Sequence, residues 1–376
     1  MEEIDIRVSL TELPPLADLA PIWQTLQAHS DHSFFMSWAW IGCWLETLPE
    51  TLCPLLLITE RAGKVVGIGI LIKKSRRQLK FLNTPALYLN STGDPYLDEV
   101  TIEYNGFLVD RAGSKVIVEK MLGFLFYNQP YQCNEVFIHG GIDQQKLQSA
   151  IPADTRLLEA RKDVCFSVDL DLLRTSEQDY LATLSPSRRY QIRRSIREYS
   201  KLGRLNLITA QSEDEAIFFL EELRKLHQTY WEKKGSAGAF ANLFFYKFIH
   251  RMVKAQFAGG VIQILRISVG DRPIGYLLNF VYQGHVYQYQ SGFDYEVCKK
   301  YNNPGYISHL YGVEYNLKVG HRVYDYMAGA SPYKKSMGQP MSEISLQVVQ
   351  RNSVVFRVED CIRSAVHLLR KMLKKT

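Results

Sequence analysis

The stretch from Arg272 to Gly338 restricts the fold more than any other part of the chain. Arg272 to Tyr282 (RPIGYLLNFVY) is apolar and rich in β-formers, Gln283-Gly284 supplies a two-residue turn, and His285 to Gly292 (HVYQYQSG) returns. Two such runs around a glycine-containing turn predict a hairpin. Asn302-Asn303-Pro304-Gly305 then opens a helix, with Asn as a cap and Pro in the first turn. Tyr306, Leu310, Val313 and Leu317 recur at helical spacing, and Gly320 is placed to end the run. Arg322 to Met327 (RVYDYM) reads as a strand and Gly329 to Gly338 (GASPYKKSMG) as a loop. Hairpin, crossover helix and parallel return strand predict a mixed α/β sheet with a crevice at the strand ends, where ligands tend to bind.

The returning strand carries polar groups on both faces. His285, Tyr287, Tyr289 and Ser291 share one side by the period of two, and Gln288 and Gln290 share the other. Polar groups in a central strand cost free energy unless they meet partners, so this strand marks a candidate site. Asp325 alternates with Tyr324 and Tyr326 and needs a partner for the same reason. His285, beside the turn, is expected to be exposed.

At 376 residues the chain exceeds one usual core, and two domains are expected, 1–160 and 161–376. The second begins at a segment, Asp163 to Leu170, that can run between the halves. No apolar run of about 18 residues predicts a spanning helix, and the acidic start MEEIDIRVSL does not read as a secretory signal. The 6 cysteines are scattered without a C-x-x-C pair, which predicts reduced thiols, a cytoplasmic location and no metal site. The net charge of +6 favours anionic ligands without choosing among them.

In the first half, Trp38, Trp40 and Trp44 at near-helical spacing predict core packing. Ile102 to Val109 reads as a strand, followed by Asp110 to Lys115 (DRAGSK) and a helix from Val116 to Tyr127. That layout suits either phosphate on helix N–H groups or a plain linker. In the second half, Ser185-Pro186 starts a helix whose Arg188, Arg189, Arg193, Arg194, Arg197 and Lys201 form a basic face. Such a face is either solvated or an anion site, since guanidinium forks bind phosphate or carboxylate bidentately. Long helices are expected at 213–234 and 242–257. Gly235 to Ala241 joins them as a loop or a lid. Val354 to Lys375 reads as an amphipathic helix with Val358, Ile362, Val366, Leu369 and Leu373 inward. Its basic tail suits an anionic membrane surface, or equally a solvated helix end.

Several of these features together resemble the GNAT acyltransferase superfamily. They are Ser185 to Glu198 (SPSRRYQIRRSIRE), the Gly275-Tyr276 strand with its partner ending Ser291-Gly292-Phe293-Asp294, the Pro304-Gly305 helix start, and Tyr324-Asp325-Tyr326 followed by Tyr333-Lys334 and Gly338. The pattern is most similar to the tandem CelD-type (cellulose-biosynthesis-like) acetyltransferases, relatives of the Fem peptidyltransferases. It covers the second half; the first half resembles a diverged repeat. The resemblance implies a mixed α/β fold of two tandem GNAT-like domains. It also implies an N-acyltransferase that moves an acyl group from acyl-CoA, or from the phosphopantetheine of an acyl carrier protein, to an amine of a small molecule, sugar or lipid precursor. No nucleophile is required, because positioning, an oxyanion donor and a proton acceptor suffice.

By that resemblance Tyr333-Lys334 matches the aromatic–lysine pair of the Fem relatives, Lys334 stabilising negative charge. Asp325 would accept the amine proton or orient the amine; as a structural group it would pair with an Arg or cap nearby N–H groups. Tyr289, Ser291 and Asp294 are implied substrate contacts, with Arg189 and Arg193 on the basic helix. Lys299, Lys300, Asn303, Gly305 and Tyr306 are the implied donor-binding residues, although the family's Q/R-x-x-G-x-G/A signature is replaced here by Lys299 to Gly305 (KKYNNPG). Two alternatives stand beside this reading: an aminoacyl-tRNA-dependent Fem-like transferase, with RNA on the basic helix, and a non-catalytic binding protein on a GNAT fold.

Overall fold

The computed structural model describes residues 6–78, 82–128, 132–142, 144–298 and 303–362. In chain order the strands are β1 (Ile6–Glu12), β2 (Leu55–Arg61), β3 (Lys64–Gln78), β4 (Leu82–Leu89), β5 (Leu108–Val109), β6 (Glu135–Gly141), β7 (Thr155–Asp169), β8 (Leu205–Thr209), β9 (Ile262–Val269), β10 (Arg272–Tyr282), β11 (His285–Phe293), β12 (Val323–Ala328) and β13 (Gln339–Arg351). The helices are α1 (Leu16–Gln27), α2 (Trp38–Thr47), α3 (Ser114–Tyr127), α4 (Gln144–Gln148), α5 (Leu170–Thr175), α6 (Tyr180–Thr183), α7 (Pro186–Ser200), α8 (Glu213–Lys233), α9 (Leu243–Gln256), α10 (Pro304–Val319) and α11 (Pro332–Met337). The expected mixed α/β fold is what forms.

All strands join one sheet, ordered β1-β2-β3-β4-β6-β13-β7-β12-β11-β10-β9-β8, with β5 beside β3. Read from either end inward, the order is the same series of equivalent strands, so the two halves repeat one architecture about the β13–β7 pair. The parallel pairs, β4 with β6 and β11 with β12, occupy equivalent places. The halves interlock. β7 follows the first half in sequence yet pairs with β12, and the last strand, β13, returns to pair with β6. β7 runs through residue 160, so the expected boundary falls inside a strand.

The hairpin forms as the sequence predicts. Gln283 (φ +49°) and Gly284 (φ +75°) both lie in the left-handed region, as a primed two-residue turn requires. α10 begins at Pro304 and ends with Gly320 at φ +100°. In the segment expected to be a plain loop, Pro332–Met337 instead forms α11, with Pro in its first turn.

The two halves share an aromatic core. Trp40 of α2 meets Phe248 of α9 at 4.8 Å between ring centroids, and Phe34 meets Phe280 of β10 at 4.8 Å. The tryptophans near the first-half helix therefore pack, as their spacing predicts. Two expectations are corrected. Of Ile102 to Val109 only Leu108–Val109 is strand, because the preceding residues are drawn between β4 and β6 by side-chain bonds. In the last helix Val358 and Ile362 face outward while Phe356 is buried; Val366, Leu369, Leu373 and the basic tail lie outside the described residues. Among the described residues no helix is long and apolar enough to cross a membrane. Among the described residues no disulfide is formed.

Candidate active site

The site grows from a mismatch in the sheet. β11 and β12 pair in parallel only from His285↔Val323 to Tyr287↔Asp325. β11 then continues to Phe293, while β12 breaks into a bulge, so the strands part. A cavity of about 640 Å³ opens at this point. Gln288 to Phe293 form one side, the start of α10 closes the top, and Met327 with Ser331 to Lys334 form the other side. α8 supplies His227, and residues 99–103 of the first half supply Glu99, Thr101 and Glu103. Gly292 lets α8 approach: a Cβ there would lie 2.3 Å from the Leu223 carbonyl oxygen.

Several sequence-predicted residues meet in this cavity: Tyr289, Ser291, Asn303, Gly305, Tyr306, Tyr333 and Lys334. Tyr333 lies flat against His309, with 5.0 Å between centroids and 8° between planes. Burial and the Lys334 charge hold the His309 imidazole down at about 3, so it is neutral. His227 is also kept neutral by burial; its Nδ1 bonds the Ser291 carbonyl at 3.0 Å, and its Nε2 has no hydrogen-bond partner among the described residues. Lys334 Nζ donates to the carbonyls of Met327 and Ala328. Burial lowers the Lys334 pKa, while Glu103 and Asp325 oppose that shift.

Glu103 is the functional candidate that the sequence reading missed. Its Oε2 accepts the Ala328 N–H at 2.9 Å. Burial raises its pKa to about 7, against the opposing pull of the Ala328 N–H and Lys334. A buried carboxyl of that pKa, on a cavity wall beside an ammonium, is poised as a proton acceptor near neutrality. Nothing local signals it, since the chain brings it from a loop more than two hundred residues before Lys334.

Other predicted residues sit elsewhere. Asp325 is fully buried and does not line the cavity; its carboxylate accepts from the Tyr104 hydroxyl at 2.6 Å and the Met327 N–H at 2.6 Å, and bonds His285 Nε2 at 3.0 Å. His285, expected to be exposed, is thus held by a carboxylate. Asp294 is turned to Arg272 at 3.3 Å and to the Glu296 N–H, which ties down the end of β11. Arg189 is spent on the carbonyls of Ala182 and Leu184, and Arg193 is exposed away from the cavity. The basic face does not converge: Lys201 pairs with Glu198, and Arg188 lies 3.9 Å over the Tyr306 ring. Arg188 thus touches the cavity wall through Tyr306. Lys299 and Lys300 lie outside the described residues. Asn303 sits at the N-cap position of α10, but its amide donates to Ser195 at 3.1 Å rather than capping.

In the first half Asn105 enters the equivalent wedge between β4 and β6, and a cavity of about 590 Å³ lies beside it, lined by Asn105 to Phe107, Ser114, Lys115 and Ile138. Asn105 N–H donates to the Gly140 carbonyl, its side-chain amide donates to the Leu89 carbonyl, and the Asn90 amide donates to Asn105 Oδ1. At the start of α3, Arg111 is paired with Asp31 at 3.1 Å and Asp110 accepts the Ala112 N–H, which suits a linker turn better than a phosphate cradle. Among the described residues no group of three or more His, Cys, Asp or Glu side chains is placed to hold a metal ion.

Residues 186–335, less than half of the chain, match the family model described as an acetyltransferase (GNAT) domain. No curated protein matches the sequence significantly. Among solved structures, FemX is similar with a TM-score of 0.56 and 10% identity, over 95% of this chain and 99% of that one. A conserved protein of unknown function from Bacteroides thetaiotaomicron is similar with a TM-score of 0.53 and 11% identity, over 92% and 100%. The C-terminal domain of a putative lysylphosphatidylglycerol synthetase from Agrobacterium fabrum is similar with a TM-score of 0.51 and 7% identity, over 94% and 97%. At these identities the likeness is one of fold. The chain carries a GNAT-type acetyltransferase domain, set in a fold that repeats the GNAT-like architecture twice, and its enzyme class is acyltransferase.

Proposed function

We propose that the protein is an N-acyltransferase of the CelD-type branch. It moves an acyl group from a thioester, acyl-CoA or acyl-phosphopantetheine on a carrier protein, to an amine of a small molecule, sugar or lipid precursor. The observation that carries this reading is Glu103, with its pKa near 7, beside Lys334 on the wall of the cavity between β11 and β12. The thioester chain lies in the wedge, along the backbone groups of Gln288 to Gly292 that β12 leaves without a partner. The amine approaches Glu103 from an adjoining cavity of about 620 Å³ that shares Thr101 and Glu103 with the first.

Glu103 takes a proton from the amine as nitrogen attacks the thioester carbonyl. An ammonium has three N–H donors, and Lys334 directs two bonds to protein carbonyls. A remaining N–H is available to the oxyanion, where a preorganised donor does most for the rate. The C–S bond then breaks, and the thiolate leaves and collects a proton. Neutral His227 and His309 add no further positive charge beside Lys334. The test is amine-dependent release of free thiol from acyl-CoAs or an acyl carrier protein. Release is expected in the wild type and should be lost in Lys334→Ala with the fold intact. No release from either donor, together with stabilisation by aminoacyl-tRNA, would move the donor to the Fem-like alternative. No transfer from any donor would favour a binding protein.

A further inference from the structure

We infer that Asp325 is a positioning residue, whose carboxylate holds the backbone bulge that aims both Lys334 and Glu103 at the cavity. This rests on the roles just proposed for those two side chains. The bulge is visible in the register: β12 pairs with β7 at Asp325↔Ser167 and next at Ala328↔Cys165, so two residues of β12 oppose one of β7. The extra residue is Met327, which adopts φ +63° although it is not glycine and is buried. A side chain in the left-handed region is strained and persists only when its surroundings hold it there.

Asp325 is the holder. Its Oδ1 accepts the Met327 N–H two residues on, at 2.6 Å, the local bond by which Asp stabilises a tight turn. Its Oδ2 is fixed from the other side by the Tyr104 hydroxyl and His285 Nε2, and His285 stacks on Tyr287 at 4.1 Å. The output of the bulge is directional. It turns the carbonyls of Met327 and Ala328 onto Lys334 Nζ and the Ala328 N–H onto Glu103 Oε2. One carboxylate outside the cavity thus sets the places of two groups inside it. Tyr104 and Glu103 come from adjacent positions in one loop of the first half, so the same loop supplies a cavity-lining carboxyl and clamps the residue that aims it.

The experiment compares kcat and KM for Asp325→Asn, Asp325→Ala and the double variant Asp325→Ala/Met327→Gly. The reactivity of Lys334 toward trinitrobenzenesulfonate is followed in parallel by peptide mapping. Asparagine keeps the acceptor for the Met327 N–H, and the Tyr104 hydroxyl and His285 can reverse their donor roles. We expect Asp325→Asn to stay within about threefold of wild-type kcat, and Asp325→Ala to lose about tenfold or more with the donor KM little changed. Glycine takes a left-handed φ unaided, so the double variant should regain much of that loss. Lys334 labelling should rise in Asp325→Ala and fall back in the double variant.

A loss in Asp325→Asn as deep as in Asp325→Ala would show that the charge itself is needed, and would overturn the positioning role. So would wild-type kcat in Asp325→Ala. If Asp325→Ala does not fold, the asparagine variant decides by the same criterion. If the wild type transfers no acyl group, the proposed function fails, and the labelling still decides separately: unchanged Lys334 reactivity in Asp325→Ala overturns the bulge argument.

Discussion

Glu103 shows how burial changes what a common side chain can do. Its carboxyl titrates at about 7 because the protein removes its water and returns only one N–H bond and a neighbouring ammonium. As a proton acceptor it must be ionised, so kcat/KM should rise with pH through about 7. Glu103→Gln should lower kcat about 10²- to 10³-fold and abolish that rising limb, as a pH–rate profile of both proteins would reveal. Stability should move the opposite way. The native state keeps its proton to higher pH than the unfolded chain, so this group's contribution declines as pH rises from the ordinary glutamate range through about 7. Glu103→Gln should therefore raise the melting free energy at pH 8 by on the order of 1–3 kcal/mol, a gain that shrinks toward pH 5.

The placement of Tyr333-Lys334 at the cavity was legible in the sequence because its signal is local, an aromatic–lysine pair at a fixed distance from Gly338. Glu103 was not, since its chemistry comes from a tertiary neighbourhood. Asp294 and Arg189 misled for the converse reason: polar side chains at element ends satisfy nearby backbone groups, and sequence does not distinguish that duty from ligand contact.

At the scale of elements, the hairpin and α10 were legible because turn chemistry, strand alternation and caps agree in one short stretch. The segment before β5 was not. Its apolar alternation suggests a strand, but Asn90 and Asn105 draw it into the wedge between β4 and β6. Asn105→Ala would remove three bonds in a buried place, those to the Leu89 carbonyl, the Asn90 amide and the Gly106 N–H. A loss of about 1–3 kcal/mol in denaturant unfolding is expected. Gly292→Ala tests the contact between α8 and β11. Its new methyl meets the Leu223 carbonyl at 2.3 Å, so α8 must move and take His227 from Ser291. The expected result is about 2–4 kcal/mol of destabilisation and a higher KM for the donor, read by thermal melts and donor saturation curves.

At the scale of the molecule, the repeat and the interlock matter together. Length predicted two domains, and a twofold-repeated sheet is present. The interlock was not legible, because strand order depends on pairings between residues far apart in the chain, such as Val349 with Val136 and Leu157. With β13 returning to the first half and aromatic packing across the join, the protein should melt in one calorimetric transition. Two separated transitions would show that the halves fold independently. The interlock also explains why a first-half carboxyl can serve a second-half cavity. β12, α11 and the loop bearing Glu103 and Tyr104 are held by one sheet.

The central claim is that the wedge between β11 and β12, rather than the cavity beside Asn105 in the first half, receives the thioester. Hydrogen–deuterium exchange with and without acetyl-CoA tests it directly. The expected result is slowed exchange of amides within Gln288–Gly292 and at the start of α10, with little change at residues 114–118. Protection confined to the start of α3, with β11 unaffected, would contradict it.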